Sequence, residues 1–511
     1  MSKWQFDTVK TGQRVGWYPP GLTTFRDDQL KNLVREILQN SLDNPARKNQ
    51  REPVIVEFER LELQRSEIPA MDDLHKHLTY CLKERENSAP EDLEDIREAR
   101  KVANGKTVSV LKISDYNTSG MSGGGGSGCL DGSPFFNYIK TEGESGGNQS
   151  RGGSHGLGKN APLVGSRVRA IFAATTFVEG GENYSLIQGR CQLRTRTGEN
   201  GERLAPTGFW GGADFAPLNQ VPEAYKWLER DAQGTSISIV GWNGEPNWEQ
   251  LVACYAITNF FAAFKRKKLK VVVGNLTVDD TNLMELLDNA ALEKKFIAHD
   301  KANNGEAWQL AKWLVRCVDL EPDQNQYEKD FQCPGEIGAG KLSLVISEGA
   351  PKKVAFIRAN ILITSDIPGV WKRVPGSLND FVGVYECVND SGLSLLRRME
   401  PPQHNGLNPD FLPWKKQKEG KRHLENLSKK LKEIVQRFAE IDVTDHHADN
   451  FTLEFFSDET GDGGDIQDDE DINPEGGLVI HIKPQNRPPP KPIQTEDDLD
   501  DEGVTEEEGE G

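Results

Sequence analysis

The chain has 511 residues, a formal net charge of −19 at pH 7 and 36% hydrophobic residues. This length has room for two or three domains with proper cores. Seven cysteines without a C-x-x-C pair argue against a zinc cluster and a disulfide scaffold. The first residues contain no apolar h-region and no stretch approaches a membrane span, so we expect neither export nor insertion, and a cytoplasmic location.

The negative charge is concentrated in one segment. Residues 458–511 contain 19 Asp and Glu against 3 Lys and Arg, and the rest of the chain is nearly neutral. Two basic clusters, at 264–270 and 414–422, each include an aromatic residue and could contact nucleic-acid phosphates, although a solvated surface explains them equally well. The net charge therefore does not argue against contact with DNA.

The first motif in chain order is E36-I-L-Q-N40-S-L-D43. Apolar residues recur at helical spacing around it and predict an amphipathic helix from Leu30 to Leu42. Glu36 and Asn40 are four residues apart and therefore neighbours on one helix surface. A carboxylate that accepts a proton from water, one turn from an amide oxygen that ligates a hard cation, suits metal-assisted hydrolysis. An isolated pair of this kind is more often a solvated polar face.

The second motif, D115-Y-N-T-S-G120-M, follows residues 108–114, whose β-branched alternation predicts a strand. A carboxylate at a strand end can accept a hydrogen bond from an exocyclic amine while small residues let the backbone pass beneath a flat ring. The alternative interpretation is a simple turn.

The third motif, G153-S-H-G-L-G158-K-N, closes a glycine-rich segment at residues 123–158 and leads into a predicted helix start. Glycines let backbone N–H groups converge on phosphate oxygens, and Lys159 could add a positive charge. A glycine-rich linker is the alternative. A fourth element, G234-T235-S-I-S-I, reads as a strand.

These four segments together resemble the GHKL (Bergerat-fold) ATPases, which implies ATP and Mg²⁺ as cofactors. By this resemblance Glu36 is the general base, Asn40 the Mg²⁺ ligand and Asp115 the residue that binds the adenine amine. Thr235 supports the adenine-side hydrogen bonds. The family pattern D-x-G-x-G is altered here, because Asn117 occupies the first glycine position and Gly120 comes one residue late. The implied nucleotide-binding residues are Asn40, Asp43, Asp115, Asn117, Gly120, Met121, Gly153, Ser154, His155, Gly156, Leu157, Gly158, Lys159, Asn160 and Thr235.

Two later segments narrow the resemblance. Residues 354–364 are similar to a strand pair in the transducer domain of MORC and MutL relatives, and E400-P-P-Q-H-N405 resembles a P-T-H-N stretch of MORC proteins. The closest resemblance is to the prokaryotic MORC-like (paraMORC) ATPases of bacterial defence systems. MORC proteins have a lysine after the H-N pair where this chain has Gly406. The candidates to replace that lysine at the γ-phosphate are Lys352, Lys353, Lys372 and Lys415, and hydrolysis could be slow.

We therefore expect an α+β fold: a GHKL/Bergerat two-layer α/β sandwich, a transducer-like α/β domain, a C-terminal helix and a disordered acidic tail. The expected boundaries are 1–246 for the ATPase domain, with a glycine-rich lid at about 122–160, and 247–410 for the transducer-like domain. Residues 411–456 are expected to form a helical and strand segment, and 457–511 a largely disordered tail with a short strand.

The resemblance implies an ATP-switched clamp that dimerises on ATP binding and acts on DNA or partner proteins, in a bacterial anti-phage defence or restriction system. No nuclease signature is evident, so cutting is expected of a separate nuclease partner. A chaperone-like ATP-dependent remodeller is one alternative, and a regulatory module that binds ATP without turnover is another.

Overall fold

A computed structural model describes residues 3–10, 12, 14–47, 50–84, 89–126, 128–142, 157–320, 325–371 and 373–441. The expected strands at 451–456 and 478–482, and the acidic tail from 457, lie outside this range. Within it the helices are α1 (Pro20–Thr23), α2 (Gln29–Asp43), α3 (Met71–Lys83), α4 (Pro90–Ala103), α5 (Pro134–Ile139), α6 (Ala161–Val164), α7 (Trp248–Lys265), α8 (Leu283–Leu287), α9 (Ala290–His299), α10 (Glu306–Leu314), α11 (Asp390–Arg398) and α12 (Trp414–Ala439).

The strands of the described residues form an α+β fold with two sheets. Those of the first sheet are β1 (Gln5–Thr8), β2 (Val54–Gln64), β3 (Thr107–Tyr116), β4 (Ala170–Glu179), β5 (Glu182–Gln192), β6 (Arg196–Thr197), β7 (Arg203–Trp210), β8 (Gly234–Val240), β9 (Leu269–Val273) and β10 (Leu276–Val278). Those of the second are β11 (Gln326–Cys333), β12 (Gly338–Ile346), β13 (Lys353–Arg358), β14 (Ile361–Thr364) and β15 (Phe381–Cys387).

The first sheet has the strand order β1-β7-β5-β4-β8-β3-β2-β9-β10, with β6 paired to β7. Side-chain alternation divides its core between two faces. On β4, Ile171 and Ala173 face the core shared with α2 and α7, whereas Phe172 and Ala174 face the core shared with α3 and α4. The sheet is therefore buried on both faces where β3, β4 and β8 run side by side, and this rigid centre carries the loops described below.

Helix α7 joins the two sheets. Its residues from Leu251 to Phe264 are all buried, as expected for a helix that is apolar all round. It contacts α2 and β9 on the side of the first sheet and β14 on the side of the second. The second sheet has the order β11-β12-β15-β13-β14, in which β13 and β15 are parallel. Because α7 contacts both α2 and β14, a displacement of the second sheet would also act on α2.

Several elements expected from the sequence are confirmed. The helix expected at Leu30–Leu42 is α2, and the strand pair expected at 354–364 is β13 and β14. Strands β9 and β10 lie beyond residue 246, yet they pair with the first sheet through β2. In the described part of the chain, no helix combines the length and apolarity needed to cross a membrane.

Candidate functional site

Helix α2 carries Glu36 at a buried position. The helix packs against α7, α6 and β2. Its apolar spacing predicts one buried face, but residues on other faces are buried too. Glu36 is only 4% exposed, and its Oε1 is buried without a hydrogen-bond partner among the described residues. Burial raises its pKa from 4.5 to about 7, the positive charge of Arg35 works against this rise, and Asp43 adds to it. A buried carboxyl that titrates near neutral pH suits proton transfer.

Unpartnered polar groups from two other elements accompany Glu36. The hydroxyl of Tyr138 on α5 is buried and has no hydrogen-bond partner among the described residues. Burial raises its pKa, with a further contribution from the charge of Glu36. Arg190 on β5 donates to Glu142 at 2.7 Å, but its buried Nε and Nη1 atoms have no acceptor within the described part of the chain. Unsatisfied buried polar groups carry a cost and call for an explanation. Glu36, Tyr138 and Arg190 form what we call the Glu36 cluster.

Asn40 and Asp43 continue along α2. Asn40 is half-buried one turn after Glu36, and its backbone oxygen accepts a hydrogen bond of 2.8 Å from Asn44. Oδ2 of Asp43 is buried without a partner among the described residues. Burial raises the pKa of Asp43, and the nearby charge of Arg358 partly offsets the rise. Two more oxygen-bearing side chains thus follow Glu36 on the same helix.

The carboxylate of Asp115 joins three elements of the fold. Its Oδ1 accepts hydrogen bonds from the Thr118 hydroxyl at 2.5 Å and from the Thr235 backbone N–H at 2.7 Å. Its Oδ2 accepts one from the Ser41 hydroxyl of α2 at 3.1 Å. Arg230 lies 3.9 Å from Oδ1. Burial raises the pKa of Asp115, and these hydrogen bonds only partly offset that rise. The second motif, α2 and the start of β8 therefore meet at this carboxylate.

The turn after Asp115 lies close to β4. Asn117 has a φ of 59°, a left-handed conformation that asparagine tolerates better than most residues, and its side chain donates to the Pro53 oxygen at 2.8 Å. Gly120 has a φ of 69°, and a Cβ atom there would collide with the backbone oxygen of Thr176. The N–H of Met121 donates to the Thr175 hydroxyl at 2.8 Å. Only glycine lets the chain pass β4 this closely.

The end of the third motif lies against α2. A Cβ atom at Gly158 would collide with Oε2 of Glu36, so the backbone of the motif passes directly over that carboxyl. Lys159 is buried and donates to the Asn137 oxygen at 2.7 Å and the Thr141 hydroxyl at 2.9 Å. Asn160 has a buried Oδ1 without a partner among the described residues. Leu157 is half-buried. The other predicted residues of this motif, Gly153, Ser154, His155 and Gly156, lie outside the described residues.

Comparisons with known proteins give remote matches. No protein-family model matches the chain, and no curated protein matches it. The ATPase and transducer domains of a DNA topoisomerase II from Balamuthia mandrillaris are 10% identical, with a TM-score of 0.32 over 79% of this chain and 86% of that one. The B-subunit of a Myxococcus xanthus DNA gyrase is 9% identical, with a TM-score of 0.30 over 80% and 95%. The 43K ATPase domain of Thermus thermophilus gyrase B is 11% identical, with a TM-score of 0.29 over 82% and 95%.

Sequence reasoning missed the buried network next to Glu36. Arg35 is 4% exposed and donates from Nη1 to Oδ1 of Asn259 at 2.6 Å. Its Nη2 donates to the backbone oxygens of Leu362, at 2.7 Å, and of His404. Nδ1 of His404 lies 2.6 Å from Oε2 of the fully buried Glu400. The only sequence signal was the E400-P-P-Q-H-N405 stretch, whose connection to α2 no local pattern indicates.

Glu400 holds the far end of this network. Its two oxygens accept hydrogen bonds of 2.7 and 3.0 Å from Arg358 on β13. Burial would raise the pKa of Glu400, but the charge of Arg358 and the hydrogen bond with His404 lower it. The Glu400 carboxylate is therefore kept ionised inside the protein. A buried ion pair such as Arg358–Glu400 offsets the cost of desolvation only when its geometry is good.

The basic candidates are largely engaged in ion pairs. In the first cluster, Arg266 pairs with Glu386 at 2.6 Å. Lys267 lies 3.5 Å from Asp280, and Lys270 lies 3.7 Å from Asp279. Lys352 lies 3.2 Å from Asp380, and Lys353 lies 2.6 Å from Glu306. Lys415 lies over the exposed ring of Trp414 at 5.4 Å. Lys372 is outside the described residues.

Proposed function

We propose that this chain is a Mg²⁺-dependent ATPase of the GHKL type. The observation that carries the proposal is the Asp115 carboxylate, which binds Ser41 of α2 and Thr235 of β8, while Glu36 of the same helix faces the backbone of Gly158. Helix α2 thus carries the titratable carboxyl of Glu36 and also holds, through Ser41, the carboxylate of Asp115 on β3. The proximity of these groups supports the two roles that the sequence motifs imply for Asp115 and Glu36.

The environment of Asp115 suits an adenine amine. Each oxygen of a carboxylate can accept two hydrogen bonds. Among the described residues, Oδ1 has two donors, Thr118 and Thr235, whereas Oδ2 has one, Ser41. One acceptor position therefore remains for an exocyclic N–H group. The close passage of Gly120 beside β4 leaves the neighbouring backbone without a side chain that would block a flat ring.

The groups around Glu36 suit a triphosphate and its cation. The Glu36 cluster offers donors on Tyr138 and Arg190 that no described residue engages, and α2 offers oxygen atoms on Asn40 and Asp43. Mg²⁺ prefers oxygen ligands and is usually held by few protein side chains together with phosphates and water. In the described part of the chain no group of three or more His, Cys, Asp or Glu side chains is arranged to hold a metal by itself. Asn40 is our proposed protein ligand, and Mg²⁺ when bound would neutralise phosphate charge.

Glu36 is our proposed general base. Its buried carboxyl has a pKa of about 7, so near neutral pH it is partly ionised and able to accept a proton from a water molecule. Oε1 has no competing hydrogen-bond donor among the described residues. The backbone of Gly158 covers Oε2 and limits the directions from which water can approach.

We propose that nucleotide binding switches the chain between an open and a closed form that dimerises. A ligand shifts such an equilibrium only by binding one form better than the other. The hydrogen bonds of Arg35 to Leu362 and His404 supply a route by which closure near Glu36 would bias the second sheet. The two-domain division at residue 246, the resemblance to MORC-like ATPases, the defence role, the nuclease partner and the cytoplasmic location are parts of this proposal that rest on the sequence motifs.

A slow or absent turnover is the second candidate. Lys352 and Lys353 are engaged by Asp380 and Glu306, so neither is a ready substitute for the lysine that Gly406 replaces. Without a cation at the γ-phosphate, the charge that develops during phosphoryl transfer is less well stabilised. Retention of unhydrolysed ATP by purified protein would favour this candidate.

The decisive experiment measures ATP turnover by the full chain with and without duplex DNA, and molecular mass with a non-hydrolysable ATP analogue. We expect Mg²⁺-dependent hydrolysis, salt-sensitive stimulation by DNA and a doubling of mass. Stimulation by unfolded protein rather than DNA would point to a remodeller. Calorimetry that detects no heat from ATP and Mg²⁺ on folded protein would refute the nucleotide-binding proposal itself.

A further inference from the structure

The two basic clusters of the chain differ in how their charges are used. In the first, at 264–270, Arg266, Lys267 and Lys270 each lie within an ion pair to a carboxylate of the same molecule. The second belongs to helix α12, which carries nine Lys and Arg side chains against three Glu, a net charge of +6. At the usual rise of a helix, its 26 residues extend over about 39 Å. Helix α12 is therefore the better candidate for a surface that meets an anionic partner.

One side of α12 is covered by the second sheet. The helix contacts strands β11 and β12. Its buried apolar residues recur at spacings of three and four, and they are Leu424, Leu427, Leu431, Ile434 and Val435. Side chains at this spacing line one side of a helix, so the opposite side faces solvent. The packing thus fixes which side of α12 a partner could reach.

The solvent side of α12 carries a row of cations. We call this row the α12 basic face, and its members are Lys415, Lys418, Arg422, Lys429 and Lys432. They too are spaced by three, four or seven residues, and all are exposed except the half-buried Lys432. The row extends over about 26 Å at the usual helical rise. Glu425, which lies between Arg422 and Lys429, is the one carboxylate at the same spacing.

The charges of the α12 basic face are mostly uncompensated. Among the described residues, its four lysines have no carboxylate oxygen within 4.0 Å. Arg422 lies 3.9 Å from Glu419, and Lys415 lies 5.4 Å from the centroid of the Trp414 ring, which carries no charge. Exposed charges more than about 10 Å apart are largely screened at 0.1 M salt. The field at this surface is therefore positive, although the whole chain has a net charge of −19.

The surroundings of this face indicate which polyanion it fits. A helix that lies in a membrane interface inserts its apolar side, but that side of α12 is covered by β11 and β12. Single-stranded nucleic acids stack their bases on successive aromatic rings. Helix α12 has one exposed ring, Trp414, because its other ring, Phe438, is stacked on Tyr327 at 4.7 Å. A straight row of cations instead matches a stiff polyanion, and duplex DNA has one negative charge per about 1.7 Å of its axis.

We propose that the α12 basic face binds the phosphate backbone of duplex DNA without reading its sequence. Lys and Arg contacts to phosphates release condensed counterions and carry no information on the bases. A helix that is packed on a sheet and a stiff duplex both lose little conformational freedom on contact. This inference names the partner of the proposed ATP-switched clamp and rests on that function for its purpose, whereas the contact itself needs no nucleotide.

The test measures the fluorescence anisotropy of a labelled duplex of about 30 base pairs with the full chain, without nucleotide, between 50 and 200 mM salt. We expect saturable binding, equal for two unrelated sequences, with a slope of about −4.5 in log affinity against log salt for five contacts. The triple variant Lys418→Gln, Arg422→Gln and Lys429→Gln should make the slope shallower by about 2.7 and weaken binding at least about tenfold. Glutamine favours a helix nearly as much as lysine, so α12 should still form.

Three further variants separate this face from net charge, from folding and from stacking. Lys83→Gln, Lys101→Gln and Lys106→Gln together remove the same charge at exposed positions on α3, on α4 and beside α4, and should leave affinity within about twofold. Glu425→Gln removes the carboxylate of the row and should strengthen binding about twofold. Trp414→Ala should leave duplex affinity within about twofold, because no base stacks on it.

Several results would overturn the inference. They are the absence of saturable duplex binding at 50 mM salt, equal losses in the two triple variants, weaker binding by Glu425→Gln, and tighter binding to a single strand of the same length or to anionic vesicles. ATP turnover without DNA is measured on the same preparations and should be unchanged in both triple variants. A chain that hydrolyses ATP but binds no duplex refutes this inference alone. A chain that binds duplex through α12 but releases no heat with ATP and Mg²⁺ refutes only the nucleotide proposal.

Discussion

The guanidinium of Arg35 on α2 donates a hydrogen bond of 2.7 Å to the backbone oxygen of Leu362 on β14. Arg35 immediately precedes Glu36, so the helix that carries the proposed base is fastened to the second sheet beside that base. The same guanidinium reaches His404, whose ring contacts Glu400. A displacement of the second sheet that is shorter than a hydrogen bond would therefore already act on α2 at Arg35.

Replacement of Arg35 by methionine tests this connection. We expect kcat to fall roughly tenfold or more, because small errors in the placement of a catalytic group are costly, with ATP affinity changed less. The free energy of unfolding should fall by about 2 kcal/mol, since Oδ1 of Asn259 and two backbone oxygens lose their donor. Lys31→Met, at a half-buried position on the same helix, is the control. Equal losses of affinity and kcat would contradict a positioning role.

The local parts of this site could be predicted from the sequence. The repeat of Leu30, Leu33 and Leu38 defines one face of α2, and the alternation on β3 and β8 defines two strands, because each signal lies within a few residues. Asp115 and Thr235 could be singled out for the same reason. Their roles in binding nucleotide stay predictions.

The long-range parts could not be predicted. Helical spacing indicates that one face of α2 is buried, but it gives no information on the other faces. Arg35 donates hydrogen bonds to Leu362 and His404, which lie more than 300 positions later in the chain. Two partners of the Asp115 carboxylate that sequence reasoning missed, the Ser41 hydroxyl and the Arg230 guanidinium, come from distant segments that only the tertiary fold brings together. Such contacts depend on topology, which a single sequence does not display.

Glu36→Gln should bind nucleotide and not hydrolyse it. Glutamine keeps the shape of the side chain but cannot accept a proton, so kcat should fall by a factor of about 100 or more. Binding of a fluorescent ATP analogue, measured in parallel with phosphate release, separates the two effects. Exposed Glu59→Gln is the matched control. Hydrolysis by Glu36→Gln at the unmodified rate would show that another group accepts the proton.

The same variant should change how stability depends on pH. Because burial raises the pKa of Glu36 from 4.5 to about 7, the folded chain holds a proton between these values that the unfolded chain has released. Stability from this group is therefore present at low pH and lost as pH rises towards 7. Glu36→Gln should gain about 1–3 kcal/mol in free energy of unfolding, relative to the unmodified chain, between pH 5 and pH 8. Urea unfolding at both pH values measures this gain, and a constant difference would indicate that Glu36 is not buried in its neutral form.

Asp115→Asn should abolish the preference for adenine. The change replaces one carboxylate oxygen by an NH₂ group, which cannot accept the hydrogen bonds from Ser41 or from an exocyclic amine. We expect ATP affinity to fall at least about tenfold, as for loss of a hydrogen bond to a charged group, and the selectivity over GTP to disappear. Exposed Asp231→Asn is the control. Undiminished selectivity for ATP would assign base recognition to another residue.

Gly158→Ala tests whether the third motif and Glu36 work as one unit. A Cβ atom at this position collides with Oε2 of Glu36, and the hindrance comes from a carboxyl that is itself buried and cannot turn freely into solvent. We therefore expect hydrolysis to fall roughly tenfold or more while the overall fold survives, because the backbone at Gly158 is not in a conformation reserved for glycine. Gly376→Ala, where nothing lies within 4 Å of the added atom, is the matched control. If both alanine variants hydrolysed ATP at the unmodified rate, the close approach of Gly158 to Glu36 would have no part in the reaction.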